Sequence, residues 1–149
     1  MHIFIERKEN KKVRINKKGY VEKAEKSIVE LVEDAKQKYG TRYRDKLVTT
    51  SKIRNLLSMT ADIYNQVLLC SSEVLGDDIC EQIEYLRIRF IYEYGRDDSR
   101  EKSVKKFIDK AELMELLKEI GNSKENYILF SRYMAALIAF HKYYGGKEQ

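Results

Sequence analysis

Helix-period runs of apolar residues alternate with glycines along most of this chain, and that alternation predicts its elements. Gly40, Gly76, Gly95, Gly121 and Gly145 each follow such a run, as expected of residues that end helices in the left-handed conformation. Five helices result, over residues 20–39, 51–73, 78–95, 100–120 and 124–144. The second starts at the cap cluster Thr49-Thr50-Ser51, and its core face is Ile53, Leu56, Leu57, Ile63, Val67 and Leu68. In the third, Leu86, Ile88, Phe90 and Ile91 are the apolar anchors. Asn122 with Glu125 reads as a capping box that opens the fifth. Within that fifth helix, Met134-Ala135-Ala136-Leu137-Ile138-Ala139-Phe140 carries no polar side chain. A helix apolar all round belongs at the centre of a bundle, with Ala135, Ala136 and Ala139 admitting close neighbours. Residues 1–19 lack a period and read as a flexible basic arm ahead of a bundle domain over residues 20–149.

Composition agrees with the pattern. A chain of 149 residues without Pro or Trp, rich in Leu, Glu, Lys, Ile and Ala, is expected to be all-α and a single domain. No apolar run approaches the roughly 18 residues of a membrane span, and no signal-peptide core opens the chain, so a cytoplasmic protein is expected. Cys70 and Cys80 have no Cys or His partner at metal-ligand spacing, which argues against zinc and against a disulfide in a reducing compartment.

Charge is segregated. Residues 1–19 alone account for the net charge of +5, and the remaining residues hold 22 basic and 22 acidic side chains. Seven basic residues against Asp45 lie between Lys36 and Arg54, with Thr41 to Val48 forming a basic loop that contains an aromatic residue. From Asp62 to Glu84 there are six acids and no base. Arg87 to Lys110 is basic again, with eight positive and five negative charges. Such a layout suits a protein that binds an anion on one side and something basic on another.

Catalytic constellations are missing. There is no Gly-rich phosphate loop, no nucleophile elbow and no His pairing for a metal, and the two histidines are His2 and His141. The chain is therefore expected not to be an enzyme and to need neither metal nor cofactor. Asp77-Asp78 and Asp97-Asp98 sit beside helix boundaries, where acids favour the following N-terminus. Three clusters carry usable chemistry. Lys52 and Arg54 lie in the opening turn of the second helix, where unpaired amides and cationic side chains can face one phosphate together. Arg87, Arg89 and Arg96 lie on the third, with Arg89 and Arg96 sharing a face. Arg132, His141 and Lys142 lie on the fifth, where Tyr143 and Tyr144 add aromatic surface suited to an anion or a nucleobase.

Thr50-Ser51-Lys52-Ile53-Arg54-Asn55-Leu56-Leu57, Leu86-Arg87-Ile88-Arg89 leading to Tyr94-Gly95-Arg96, Phe107-Ile108, and Phe130 through His141-Lys142-Tyr143-Tyr144-Gly145-Gly146 together resemble the small-subunit family of the type III-A CRISPR effector, the Csm complex. The order and spacing match over roughly the last hundred residues, with departures at Ala135, where the family often has an acid, and Phe140, where it often has Tyr. The resemblance implies a non-catalytic RNA-binding subunit of an antiviral ribonucleoprotein. It would be present in several copies and line the path of guide RNA and single-stranded target RNA beside the backbone subunits, the large subunit and further copies of itself. Lys52, Arg54, Arg87, Arg89 and Arg96 match the family's basic positions. Guide pairing would read sequence while the protein holds phosphates. The charge layout, and not the resemblance, suggests that the acidic zone from Asp62 to Glu84 faces neighbouring subunits. The alternative is a helical adaptor that docks an acidic protein without nucleic acid.

Overall fold

The computed structural model describes residues 15–148; residues 1–14, which make up most of the expected arm, lie outside the described residues. Ile15 packs against the core, and the Asn16 side chain accepts from the amides of Lys18 and Gly19 at 3.0 and 2.7 Å, closing a turn that starts the first helix. The described residues form an all-α bundle whose one strand-like feature is an isolated bridge between Val74 and Ser123.

Helix α1 (Tyr20–Tyr39) buries Ala24, Ser27, Ile28, Leu31, Val32 and Ala35, a stripe at three- and four-residue spacing. A 3₁₀ turn (Gly40–Arg42) and the short α2 (Tyr43–Lys46) fill the basic loop. Helix α3 (Thr50–Leu69) is capped by Thr49, whose hydroxyl accepts from the Lys52 amide, and buries Ile53, Leu56, Thr60, Ile63 and Val67. It stops short of the expected residue 73. The chain leaves because Glu73 and Leu75 bond to the segment Asn122–Lys124, Lys124 N–H to the Glu73 carbonyl and Leu75 N–H to the Asn122 carbonyl. Helix α4 (Asp77–Gly95) buries Ile83, Leu86 and Phe90; Ile88 and Ile91 are exposed and do not anchor it.

The single helix expected over 100–120 is two, α5 (Ser103–Lys110) and α6 (Leu113–Ile120). Glu112 breaks it at φ 58°, held by Lys23 at 2.5 Å, while the Tyr133 hydroxyl takes the Ala111 carbonyl at 2.8 Å. The bend lets Phe107 and Ile108 of one piece and Leu113, Leu117 and Ile120 of the other reach the same core. Helix α7 (Lys124–Tyr143) is capped by Ser123, not by an Asn122–Glu125 box. It is central, packing on α1, α3 and α6, yet it is not buried all round. Ala135 and Ala139 lie with Arg132 on a solvated stripe, because the interior contacts belong to Tyr127, Phe130, Tyr133, Met134 and Leu137. Among the expected terminators, Gly40, Gly121 and Gly145 have positive φ; Gly76 instead caps the start of α4, and Gly95 is its last residue.

Candidate nucleic-acid interface

His141 is where the candidate set is first reorganised. It is 1% exposed, and both ring nitrogens are bonded: Nε2 lies 2.6 Å from the Val48 carbonyl and Nδ1 lies 3.1 Å from the Thr50 hydroxyl. A carbonyl only accepts, so Nε2 carries the proton and Nδ1 accepts from Thr50. Burial, aided by the neighbouring Lys142 charge and opposed by the Val48 bond, pushes the His141 pKa below its ordinary value. A neutral, internally satisfied imidazole does not hold a phosphate, so His141 leaves the set as a structural link between α7 and the start of α3.

The chain then folds back over that start. Gly146 N–H donates to the His141 carbonyl at 2.8 Å, and the Lys147 and Glu148 carbonyls accept from the Thr50 and Ser51 amides at 2.7 and 3.0 Å. Those amides are therefore not open to a ligand, contrary to the expectation for this helix start. The Glu148 carboxylate pairs with Arg54 at 3.0 Å and with Lys142, and Lys147 pairs with Asp45 at 2.6 Å. Lys142 and Arg54, assigned to separate clusters by sequence, thus share one carboxylate. These cations, Lys142 ahead of Arg54, hold the Glu148 pKa below the usual carboxylate range.

Lys52 and Arg96 line one cleft, formed by the first turn of α3, the end of α4 and Val104 at the start of α5. Both are exposed. Arg96 pairs with Glu93 at 3.0 Å and lies 5.7 Å from the Tyr92 ring centre. Of the other carboxylates in the cleft, Asp97 turns inward: its Oδ2 accepts from the Val104 and Lys105 amides at 2.9 and 3.0 Å, and Ser99 donates to its Oδ1 at 2.8 Å. Burial alone would raise the Asp97 pKa; the Lys105 amide, Ser99 and the Val104 amide outweigh it and hold the carboxyl below its usual range. Asp98 stays exposed. Arg89 lies farther along the α3–α4 groove, in a hollow that Tyr85 and the acids Asp62 and Glu81 also line. Arg87 lines neither hollow; it is half-buried, paired with Glu84 at 3.0 Å, and its Nε is buried without a hydrogen-bond partner. Arg132 sits about 15 Å along α7 from Lys142 and joins neither cluster.

One group escaped the reading of the sequence. Lys38, Lys46 and Lys106 place their ammonium groups 5.6, 5.7 and 5.7 Å from the centre of the Tyr39 ring. They come from α1, α2 and α5. Lys36 and Arg44 flank Tyr43 in the same way, at 5.1 and 6.0 Å. The basic aromatic loop was the signal for part of this group, but nothing in the sequence pairs it with Lys106. Ser103 lines the hollow beside Tyr39 and Val104 lines the Lys52–Arg96 cleft, so the two basic groups adjoin. One end of the bundle therefore gathers basic side chains from the ends of α1, α3, α4 and α5. The exposed acids Asp77 and Asp78 lie at the opposite end of α4, about 28 Å from Arg96 at the rise of a 19-residue helix, and Glu81 lies about 22 Å from it.

Among the described residues no group of three His, Cys, Asp or Glu side chains is placed to hold a metal ion, and Cys70 and Cys80 are free thiols. No described helix is long and apolar enough to cross a membrane.

Comparison with known proteins converges on one family. Residues 25–147 match the family model described as Csm2 Type III-A. A protein of Streptococcus thermophilus named "CRISPR system Cms protein Csm2" is 42% identical over 130 residues, covering 87% of this chain and 94% of its own. Proteins of the same name from Mycobacterium tuberculosis (strain CDC 1551 / Oshkosh) and Enterococcus italicus are 38% and 33% identical, covering 68% and 76% of this chain and 79% and 84% of theirs. The helical bundle, its basic end and the match over most of its length lead to one conclusion: the chain belongs to the Csm2 family, the small subunit of the type III-A CRISPR complex.

Proposed function

We propose that this subunit holds RNA by its phosphate backbone and performs no chemistry of its own. It acts in several copies along the guide and target RNA path of a cytoplasmic Csm ribonucleoprotein, beside backbone subunits, the large subunit and its own copies. The observation that carries this reading is the gathering of Lys38, Lys46, Lys52, Arg96 and Lys106 at one end of the bundle, with Arg54 in the first turns of α3 beside them. Arg89 extends it along the α3–α4 groove. Long cationic side chains on ordered helix ends neutralise phosphates without reading bases, which suits a complex whose guide supplies the sequence. Arg87 and Arg132, turned elsewhere, contribute less.

The test is fluorescence anisotropy with short single-stranded RNAs of unrelated sequence. Lys52→Ala with Arg54→Ala, Arg89→Ala and Arg96→Ala is expected to weaken binding roughly tenfold or more for every sequence and to flatten the salt dependence by about 0.7 of a slope unit for each phosphate no longer held. Unchanged affinity in a folded quadruple variant rejects the reading. The adaptor alternative has one specific support, the exposed Tyr85, Ile88, Ile91 and Tyr92 on the outer face of α4. Failure of RNA to stay bound to wild type at moderate salt favours it.

A further inference from the structure

We propose that Lys147 and Glu148 form an autoinhibitory strap, in which the Glu148 carboxylate occupies Arg54 and Lys142 as an intramolecular anion that an incoming RNA phosphate displaces. This rests on the reading of the subunit as an RNA binder.

The returning segment has two halves of different character. Its anchored half is built into the fold: Tyr144 stacks on Phe140 with ring centres 6.4 Å apart and donates to Glu25 at 2.6 Å, and Gly146 lies over the His141 ring. Its outer half contributes no side chain to the core. Lys147 and Glu148 are exposed, and they are held by two amide bonds at the first turn of α3 and by ion pairs to Asp45, Arg54 and Lys142. Exposed ion pairs contribute little individually and are screened by salt, so the outer half lifts without disturbing the core. Gly145, at φ +100°, and Gly146 lie where the two halves join.

Lifting changes the electrostatics of the α3 start in one direction. Arg54 and Lys142 lose their shared carboxylate, and the Thr50 and Ser51 amides at the positive end of a 20-residue helix become free donors. All four groups then favour a phosphate. Lys52 and Arg96 stand in the adjoining cleft, where Ser51 is also a lining residue, so a strand held there passes beside the strap. A closed strap lowers the apparent affinity by the fraction of molecules in which it is open.

The experiment uses the full chain and a labelled single-stranded oligouridylate at low salt. Glu148→Gln keeps the size of the side chain and removes its charge. It is expected to tighten binding roughly three- to tenfold and to steepen the salt dependence by about 0.7 to 1.4 slope units, as one or two further phosphates are engaged. Adding Arg54→Ala and Lys142→Ala to Glu148→Gln is expected to abolish the gain. Ending the chain after Gly146 should reproduce it, which guards against an effect peculiar to the glutamine. If Glu148→Gln and the shortened chain bind no more tightly while Lys52→Ala with Arg96→Ala weakens binding, the strap is structural and the RNA reading stands. If none of these variants changes affinity, the RNA reading fails and the strap reading with it.

Discussion

Gly146 lies over the His141 imidazole so closely that a Cβ at position 146 would clash with its Cε1, Nδ1 and Nε2 atoms. The ring cannot retreat, because Val48 and Thr50 hold its two nitrogens. Gly146→Ala therefore has to displace either the strap or the ring, an overpacking that costs about 1–3 kcal/mol. His141→Ala should cost more, about 2–4 kcal/mol, since it opens a hole and leaves the buried Val48 carbonyl without a donor. Urea denaturation followed by circular dichroism measures both. If either variant matches wild type within about 0.5 kcal/mol, a margin usual for surface substitutions, His141 and Gly146 are not packed in this way.

The same burial sets a pH dependence. The unfolded His141 takes a proton near its ordinary value of 6.5, whereas the folded side chain resists it. A histidine whose folded pKa is depressed stabilises the fold fully above the unfolded value. That stability is lost as pH falls below 6.5 and stops falling once the folded group also titrates. Stability should decline as pH falls through the ordinary histidine value of 6.5, ahead of the carboxylates, and His141→Gln should flatten the decline. A wild-type curve level through that value counts against a buried neutral ring.

His141 also shows what the sequence made legible and what it did not. Helical spacing puts residue 141 in phase with Tyr127, Phe130, Met134 and Leu137, all buried, so periodicity marks it as a core position. Its polar chemistry and its place beside Lys142 point outward instead. Helix ends at Tyr39, Gly95, Ile120 and Tyr143 were legible because composition changes there. The break at Glu112 was not, because the apolar spacing runs unbroken from Phe107 to Leu117 and the causes, Tyr133 and Lys23, are far away in sequence. Lys52 and Arg96 were each legible as exposed cations. Their shared cleft depends on how α3 meets α4, and Glu148 masks Arg54 from a distance of 94 residues.

Asp97 was legible as an acid near a helix start, and the structure gives it a larger role. Its two oxygens accept four hydrogen bonds, from the Val104, Lys105 and Ser99 amides and the Ser99 hydroxyl, so it fixes the loop that carries Arg96 to α5. Asp97→Ala should cost about 2 kcal/mol by leaving those donors unpaired. Because the folded pKa lies below the usual 3.8, the contribution is present above that value and lost as pH falls through the folded one. Wild type and Asp97→Ala should therefore differ at pH 7 and converge in strong acid. Chemical denaturation at both pH values checks it; a difference that persists unchanged in acid means the carboxylate charge is not what holds the loop.

Assembly should depend on the other end of the bundle. Asp77, Asp78 and Glu81 are exposed there, close in sequence to Val74, which is 60% exposed, while Leu69 beside the same turn is 86% exposed. Lys124, bonded to the Cys70 carbonyl, is the cation described at this turn. Exposed apolar side chains beside exposed acids suit contact with a basic partner surface, and the opposite end of this chain is such a surface. Asp77→Lys with Asp78→Lys and Glu81→Lys should reduce incorporation into the Csm complex, read as subunit stoichiometry by native mass spectrometry. RNA binding by the free subunit should not fall, since these residues lie about 22–28 Å along α4 from Arg96 and the reversal adds positive charge to the groove that Glu81 shares with Arg89. Reversal also places positive charge at the start of α4, which weakens that helix by itself. The neutral variant, Asp77→Asn with Asp78→Asn and Glu81→Gln, separates the two effects: it keeps the helix start nearly intact and should lose incorporation to an intermediate degree. Normal stoichiometry in the folded reversal variant would show that the acidic end is a solvated face.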